Sequence, residues 1–518
     1  MKQGNFTLSF AIMLAGVAMF ASVASAQQSC EKLKSLKITN VTITDTRSFG
    51  PSNPLVIPIT ASPFAAAGKM TISAPICRVR AYSTPTEDSH ITFEIWLPNS
   101  SRWNGKFEAV GNGGFIGQIN YNEMDAGLKR DFAVAATDTG HTGMDESWAL
   151  GHPDKLVDWS YRAVHEMTIA SKQIVKAYYG APAKLAYWDG CSTGGKQGLT
   201  EAQKYPEDFD GIVAGAPANY ITRLQAGSEY MSWVALKDGT SAPEYIPPSK
   251  YPAIHDAALQ ACDAQDGVKD GVIEDPTRCH FNPKTIECKG EGDSGCLTAA
   301  QVKTAQEIYV GAKFDDGKQI YPGVEPGSEL GWNYMAGGPE PTSIGTGFFK
   351  YMVFGNPNWD FRTFNADRDT RYADKKLGSI VNAIDPNLSA FNAHGGKLVM
   401  YHGWADQLIA PENSVNYYKS VVARMGGLRK TQQFARLFMV PGMMHCQGGA
   451  GPSTFDALTA VEKWREKGAA PMKIVASKVA KGKVVETRPL CPYPQVAIYK
   501  GTGDTNEAAN FVCGTAKW

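Results

Sequence analysis

The sequence predicts an α/β fold: a mostly parallel sheet with flanking helices, interrupted by one large insertion. Three observations carry this. Strand-length apolar runs alternate with helical segments from about residue 106 to about residue 216. The alternation stops between about 218 and 386, where helices and Gly/Pro/Asp turns follow one another, and resumes at 397–402 and 436–441. Between residues 183 and 204 a buried-type strand passes through Gly190-Cys191-Ser192-Thr193-Gly194 straight into a helix.

In chain order, Lys2 followed by a largely apolar stretch (6–23) and the small residues Ala24-Ser25-Ala26 reads as a signal peptide over 1–26. A membrane anchor is the alternative, and the polar Gln27-Gln28 argues against it. Residues 36–39, 41–43 and 91–97 alternate as antiparallel strands at a sheet edge. Strand 106–110 ends in Gly111-Asn112-Gly113-Gly114-Phe115, and strand 132–137 leads to Asp138 and His141. An amphipathic helix over 161–179 precedes the strand–serine–helix junction, and 211–216 is a short apolar strand. The C-terminal part holds a helix near 454–466 and then irregular sequence closed by Cys491 and Cys513. The expected division is therefore 1–26 signal, 27–217 first part of the α/β domain, 218–385 inserted lid, and 386–518 second part.

Composition narrows the function. The 51 basic and 51 acidic residues cancel and are interspersed, which gives no basic surface for nucleic acid or an anionic membrane. The ten cysteines are even in number, lie beyond the signal and include no C-x-x-C pair, so disulfides in a secreted or periplasmic protein are expected rather than a zinc ribbon.

Gly190-x-Ser192-x-Gly194 between strand and helix is a nucleophile elbow. The pentapeptide alone also fits a glycine-rich turn that happens to hold a serine; the strand–turn–helix setting separates the two. An elbow serine in an α/β-hydrolase fold requires an acid and then a histidine later in the chain, each just beyond a strand. Asp406 follows strand 397–402 and His445 follows strand 436–441. His445 is placed to take the proton of Ser192, and Asp406 to orient the imidazole. His141, His152, His165 and Asp138 lie upstream of the serine and are read as structural. Cys191 precedes Ser192 and Cys446 follows His445, so a disulfide between them would tie the pair together. In the insertion, Asp263, Asp266 and Asp270 with glycine turns form a short acidic loop, and the carbonyls of Val268 and Val272 complete a calcium-type oxygen set. A solvated acidic turn is the alternative.

These motifs resemble the tannase and feruloyl esterase family over nearly the whole mature chain. The paired Cys191-Ser192 and His445-Cys446, Asp406, Gly111-Asn112-Gly113-Gly114, Gly215-Ala216-Pro217 and the acidic loop carry the resemblance. It implies a secreted serine esterase that cleaves esters of aromatic, feruloyl-type acids through an acyl-enzyme. It implies an oxyanion hole from the backbone N–H groups of Thr193 and the Gly113/Gly114 pair, a Cys191–Cys446 bridge, and a structural calcium at Asp263, Asp266, Val268, Asp270 and Val272. It also implies the pairings Cys30–Cys77, Cys262–Cys279, Cys288–Cys296 and Cys491–Cys513. The expected partner is a small aromatic ester, with no nucleic acid and no membrane once the signal is removed. Galloyl esters and mono(2-hydroxyethyl) terephthalate are the alternatives within the family. Around 342–354 there is Lys350 but no arginine to hold a terephthalate carboxylate, which favours a neutral or phenolic acyl group. Trp332, Phe348, Phe349 and Tyr351 are candidates to stack on that group, with core packing the favoured alternative for each. A calcium-dependent binding protein on the same scaffold is the reading from another class, and the complete Ser/Asp/His set argues against it. A serine peptidase is a further rival.

Overall fold

Nine strands form one twisted sheet: β1 (Val41–Phe49), β2 (Ile76–Ser83), β3 (Ile91–Pro98), β4 (Lys106–Val110), β5 (Ala133–Thr137), β6 (Leu185–Cys191), β7 (Gly211–Gly215), β8 (Lys397–Gly403) and β9 (Ala435–Val440). Their order is β1-β2-β3-β5-β4-β6-β7-β8-β9. The first three and the β3–β5 pair run antiparallel; from β5 onward all pairs are parallel. The architecture is a computed structural model describing residues 1, 2, 4, 28–59, 67–143, 145–290 and 295–516. The expected signal segment, apart from residues 1, 2 and 4, lies outside the described residues.

Parallel strands covered on both faces read as unbroken apolar runs. β5, β7 and β9 are buried at every position. Helices α1 (Tyr121–Lys129) and α7 (Ala457–Lys467) cover one face through Met124, Leu128, Val461 and Trp464. Helices α2 (Ala163–Tyr179), α3 (Thr193–Lys204) and α6 (Glu412–Arg424) cover the other through Met167, Ile174, Leu199 and Tyr418. The helix expected from 161 begins as a π-type turn at Asp158–Arg162 and becomes α-helical at Ala163.

Between β7 and β8 the described chain is helical, with α4 (Ile221–Leu236) and α5 (Ala366–Val381) packed together around two apolar clusters, one of which also takes in Phe115, Trp159 and Ile409 of the α/β part. The C-terminal part differs from expectation. It is not irregular: Ile474–Ala480 pairs with Lys483–Leu490, and Val496–Tyr499 with Phe511–Gly514, as antiparallel hairpins. Their outward valines, Val475, Val479, Val484 and Val485, are exposed, so these are ribbons lying on the domain rather than core strands. Five disulfides join Cys30–Cys77, Cys191–Cys446, Cys262–Cys279, Cys288–Cys296 and Cys491–Cys513. No helix among the described residues is long and apolar enough to cross a membrane.

Candidate active site

Ser192 sits between the end of β6 and the first residue of α3 with φ 64° and ψ −122°. A non-glycine residue is strained there, and the surroundings hold it. Its N–H donates to the Gly215 carbonyl at 2.9 Å, and its carbonyl accepts from Ala218 N at 3.1 Å and Lys196 N at 3.0 Å. The turn closes only because no side chain intervenes. A Cβ on Gly190 would lie 2.7 Å from the Gly194 carbonyl carbon, and one on Gly111 would lie 2.5 Å from the Gly194 Cα.

Asp406 lies three residues past β8 and is fully buried. Its Oδ1 accepts from the N–H groups of Leu408 (2.8 Å) and Ile409 (3.0 Å). Its Oδ2 meets His445 Nδ1 at 2.8 Å and His402 Nε2 at 3.0 Å. Burial pushes the carboxyl up, but the charge of His445 and the hydrogen bonds of both histidines hold it well below the usual carboxylate range. The carboxylate therefore stays ionised and fixes the proton of His445 on Nδ1, leaving Nε2 as the acceptor. His445 lies just beyond β9, and the next residue, Cys446, adopts φ 64° and is bonded to Cys191 with Cα atoms 6.0 Å apart. Ser192 and His445 line the same cavity, of about 580 Å³.

Sequence reasoning misses His402. It is fully buried within β8, where its Nε2–H faces Asp406 and the Ile409 carbonyl while Nδ1 accepts from the Ser414 hydroxyl at 2.7 Å. The only signal in the chain is a histidine four residues before the acid, inside a strand otherwise read as core.

Gly113, Gly114 and Thr193 border the cavity with Ser192. The Thr193 hydroxyl donates to the Gly114 carbonyl at 2.9 Å, so the elbow and the glycine loop are joined. Asn112 anchors that loop: its N–H donates to Gln197 Oε1, and its amide nitrogen donates to the carbonyls of Gln118 and Thr137. Among the described residues, the N–H groups of Gly113 and Gly114 donate to no protein acceptor. His141 is buried against Trp148 with Nε2 2.8 Å from the Phe115 carbonyl, and burial lowers its pKa to about 4, so it braces the loop as a neutral ring. Asp138 accepts from Thr92 N and Gly140 N inside the core.

The insertion forms an apolar wall of the cavity with Leu224, Met335 and Ile344. Of the candidate stacking rings, Trp332, Phe348 and Phe349 take the core-packing role, fully buried in apolar clusters built largely from the insertion, and Tyr351 does not reach the cavity. They are the hydrophobic anchors of a segment that must hold its own core. The rings that do border the cavity are Phe115, Tyr121, Tyr334 and Tyr401. Among the described residues, no lysine or arginine lines it.

The acidic loop is held by its own carboxylates. Asp263 accepts from the N–H groups of Asp270 and Gly271, Asp266 from Val268, and Asp270 from Val272. Burial raises Asp266 to about 6, with the charges of Asp270 and Asp263 adding to it. Three hard oxygens with mutual repulsion and peptide carbonyls in the same turns suit a calcium ion. Arg488 binds Asp270 at 2.5 Å, and the Val272 side chain packs on Gly442 in the segment leading to His445. A tighter trio occurs elsewhere: ligating atoms of His165, Glu201 and Asp208 lie within 4.8 Å of one another among the described residues.

The class of protein is a carboxylic ester hydrolase on an α/β scaffold, and comparison with known proteins carries that conclusion. The family model described as "Tannase and feruloyl esterase" matches residues 77–514. An uncharacterized esterase of Xanthomonas campestris pv. campestris is 37% identical over 96% of this chain and 93% of its own length. A probable feruloyl esterase B-2 of Neosartorya fischeri is 35% identical over 86% of this chain and 88% of its own. The crystal structure of feruloyl esterase B from Aspergillus oryzae superposes with a TM-score of 0.88 at 30% identity, covering 94% of this chain and 99% of that one. The chain belongs to the tannase and feruloyl esterase family.

Proposed function

We propose that this protein is a secreted serine esterase acting on esters of hydroxycinnamic, feruloyl-type acids through an acyl-enzyme. The observation that supports this best is the arrangement of the site: an elbow serine and an Asp406-bound His445 on one cavity, joined by the Cys191–Cys446 bond. Ser192 attacks the ester carbonyl as His445 Nε2 takes its proton, and the imidazolium formed is stabilised by Asp406. The carbonyl oxygen becomes an oxyanion facing the N–H of Thr193 and those of Gly113 and Gly114, where the N-terminus of α3 adds favourable potential. His445 then protonates the leaving alcohol, and a water activated by the same nitrogen releases the acid. Each removed donor of such a hole costs about 10²–10³ in kcat.

The apolar wall of Leu224, Met335 and Ile344 suits an aromatic acyl group, and a cavity without lysine or arginine favours a neutral one over terephthalate. Relatives named as probable feruloyl esterases point the same way. A galloyl ester remains the second reading, since its acyl group is also neutral and phenolic. Asp263, Asp266 and Asp270, with the carbonyls of Val268 and Val272, would hold a structural calcium, whose charge would lock the loop that Val272 rests against Gly442. Secretion is supported by five disulfides and by the apolar N-terminal stretch ending in Ala24-Ser25-Ala26. The test is the initial rate of the purified protein and of Ser192→Ala on methyl ferulate, methyl gallate and mono(2-hydroxyethyl) terephthalate. The proposal expects methyl ferulate to lead and the variant to be inactive; a lead for either other ester reassigns the acyl group, and no rate on any rejects the reading.

A further inference from the structure

The cavity has a second wall unlike the first. Opposite in character to the insertion's apolar side chains, it carries Asn120, Asn122 and Glu123 from the start of α1, Asp189 from the end of β6, and Tyr401 from β8. Asp189 is three residues before the serine. Among the described residues, neither the Asp189 nor the Glu123 carboxylate has a hydrogen-bond or ion-pair partner, whereas the neighbouring cation Arg130 is committed to Asp456, Thr459 and Glu462. Glu108, buried on β4 behind Asp189, is held well above the usual carboxylate range by burial and by Asp189, so it stays neutral and brings no counter-charge. The cavity therefore presents two carboxylates without a protein partner, the half-buried Asp189 and the exposed Glu123, and among the described residues no lysine or arginine.

A carboxylate is an acceptor only, and unpaired it is costly to keep even partly from water, as the half-buried Asp189 is. It is relieved by O–H donors, through charge-assisted hydrogen bonds stronger than neutral ones, and two neighbouring hydroxyls match its two oxygens. An anion brought to the same place meets repulsion with nothing to offset it. Resting on the esterase reading above, we propose that Asp189 and Glu123 determine alcohol specificity: they form an arm of the cavity that accepts the hydroxyls of a neutral, polyhydroxylated alcohol, such as a sugar, and rejects an anionic alcohol. A site built to bond substrate hydroxyls discriminates against partners lacking them far more sharply than an apolar pocket does. The groups around Asp189 are Glu123 of α1, Arg130 just beyond it, Glu108 of β4, Tyr401 of β8, and Asp456; burial, with Glu123 adding to it, raises Asp189 to about 7, so at pH 8 its ionised form predominates.

The test uses three esters of one hydroxycinnamic acid, with methanol, a neutral sugar and quinate, at pH 8, on the wild type, Asp189→Asn and Glu123→Gln. The expected result is that the sugar-to-methyl ratio of kcat/KM falls at least fivefold in each variant, through KM. The quinate-to-methyl ratio is expected to rise at least fivefold. Both ratios within twofold of wild type in Glu123→Gln, whose side chain is exposed at the start of α1 away from the elbow's own hydrogen bonds, overturn the assignment even if Asp189→Asn fails to fold. A wild type that hydrolyses none of the three esters overturns the esterase reading and this assignment with it; a wild type active on the methyl ester with unchanged ratios in the variants overturns the assignment alone.

Discussion

Replacing Cys191 and Cys446 together by alanine tests whether their bond positions the chemistry or only staples the fold. The bond links residues 255 apart in sequence. Loop-closure entropy for that separation is worth about 5.5 kcal/mol, against about 3.4 kcal/mol for the Cys491–Cys513 bond, 22 residues apart. The Cys191→Ala/Cys446→Ala variant should therefore lose about 2 kcal/mol more stability than Cys491→Ala/Cys513→Ala in guanidinium melts. The kinetic prediction is sharper. Cys191 and Cys446 adjoin Ser192 and His445, and both Ser192 and Cys446 hold positive φ. Without the bond, the two segments are free to relax, and a displacement near 1 Å between reacting groups costs about 10²-fold. We expect kcat on methyl ferulate to fall ten- to a hundredfold in the first variant and to stay within twofold in the second. A Cys191→Ala/Cys446→Ala protein that is destabilised as calculated but keeps wild-type kcat refutes the positioning argument.

Asp406→Asn keeps the side-chain size but has one acceptor oxygen where four donors converge. With that oxygen held by Leu408 and Ile409, its amide hydrogens face His445 Nδ1 and drive the ring proton to Nε2, so kcat should fall about 10⁴-fold with KM little changed; a loss under tenfold in steady-state kinetics counts against the tautomer argument. Chelation with EGTA should lower the melting temperature and the rate together, because the acidic loop touches Gly442; at a hundredfold excess over its dissociation constant a bound ion contributes about 2.7 kcal/mol, and an unchanged melt removes the calcium proposal. Glu229, fully buried in α4, accepts from the Thr346 hydroxyl while Oε1 is unpartnered, and burial raises it to about 8. The folded state keeps its proton where the unfolded chain has lost it, so stability falls as pH rises from the ordinary value toward 8, by up to about 1.4 kcal/mol per pH unit. Glu229→Gln should gain on the wild type over that range in pH-dependent melts; a constant difference from pH 5 to 8 contradicts the assignment.

The serine, aspartate and histidine are legible in the chain because each follows a strand whose apolar run is unmistakable. The glycines at 111 and 190 are legible because backbone passes where a Cβ would sit. What stays hidden depends on packing between distant segments. His402 is an apolar-strand residue until the fold brings Asp406 back over it. Trp332, Phe348 and Phe349 could serve either as stacking platforms or as core from sequence alone; an insertion whose described elements are helical, with no sheet among the described residues, needs them as core. The C-terminal hairpins escape notice because valines of the first, Val475, Val479, Val484 and Val485, face outward and its turn is Lys481-Gly482, both at positive φ, rather than an asparagine–glycine pair. The acidic arm is invisible in sequence: Asp189 and Glu123 are 66 positions apart and share only the cavity.

The central claim is that Ser192 carries the acyl group. Labelling with a serine-directed fluorophosphonate, followed by peptide mass spectrometry and residual activity on methyl ferulate, tests it most directly. The account predicts one adduct per chain, on Ser192, with activity lost in proportion to labelling and no adduct in Ser192→Ala. Activity that survives full modification of Ser192, or is lost with the label on another residue, contradicts it.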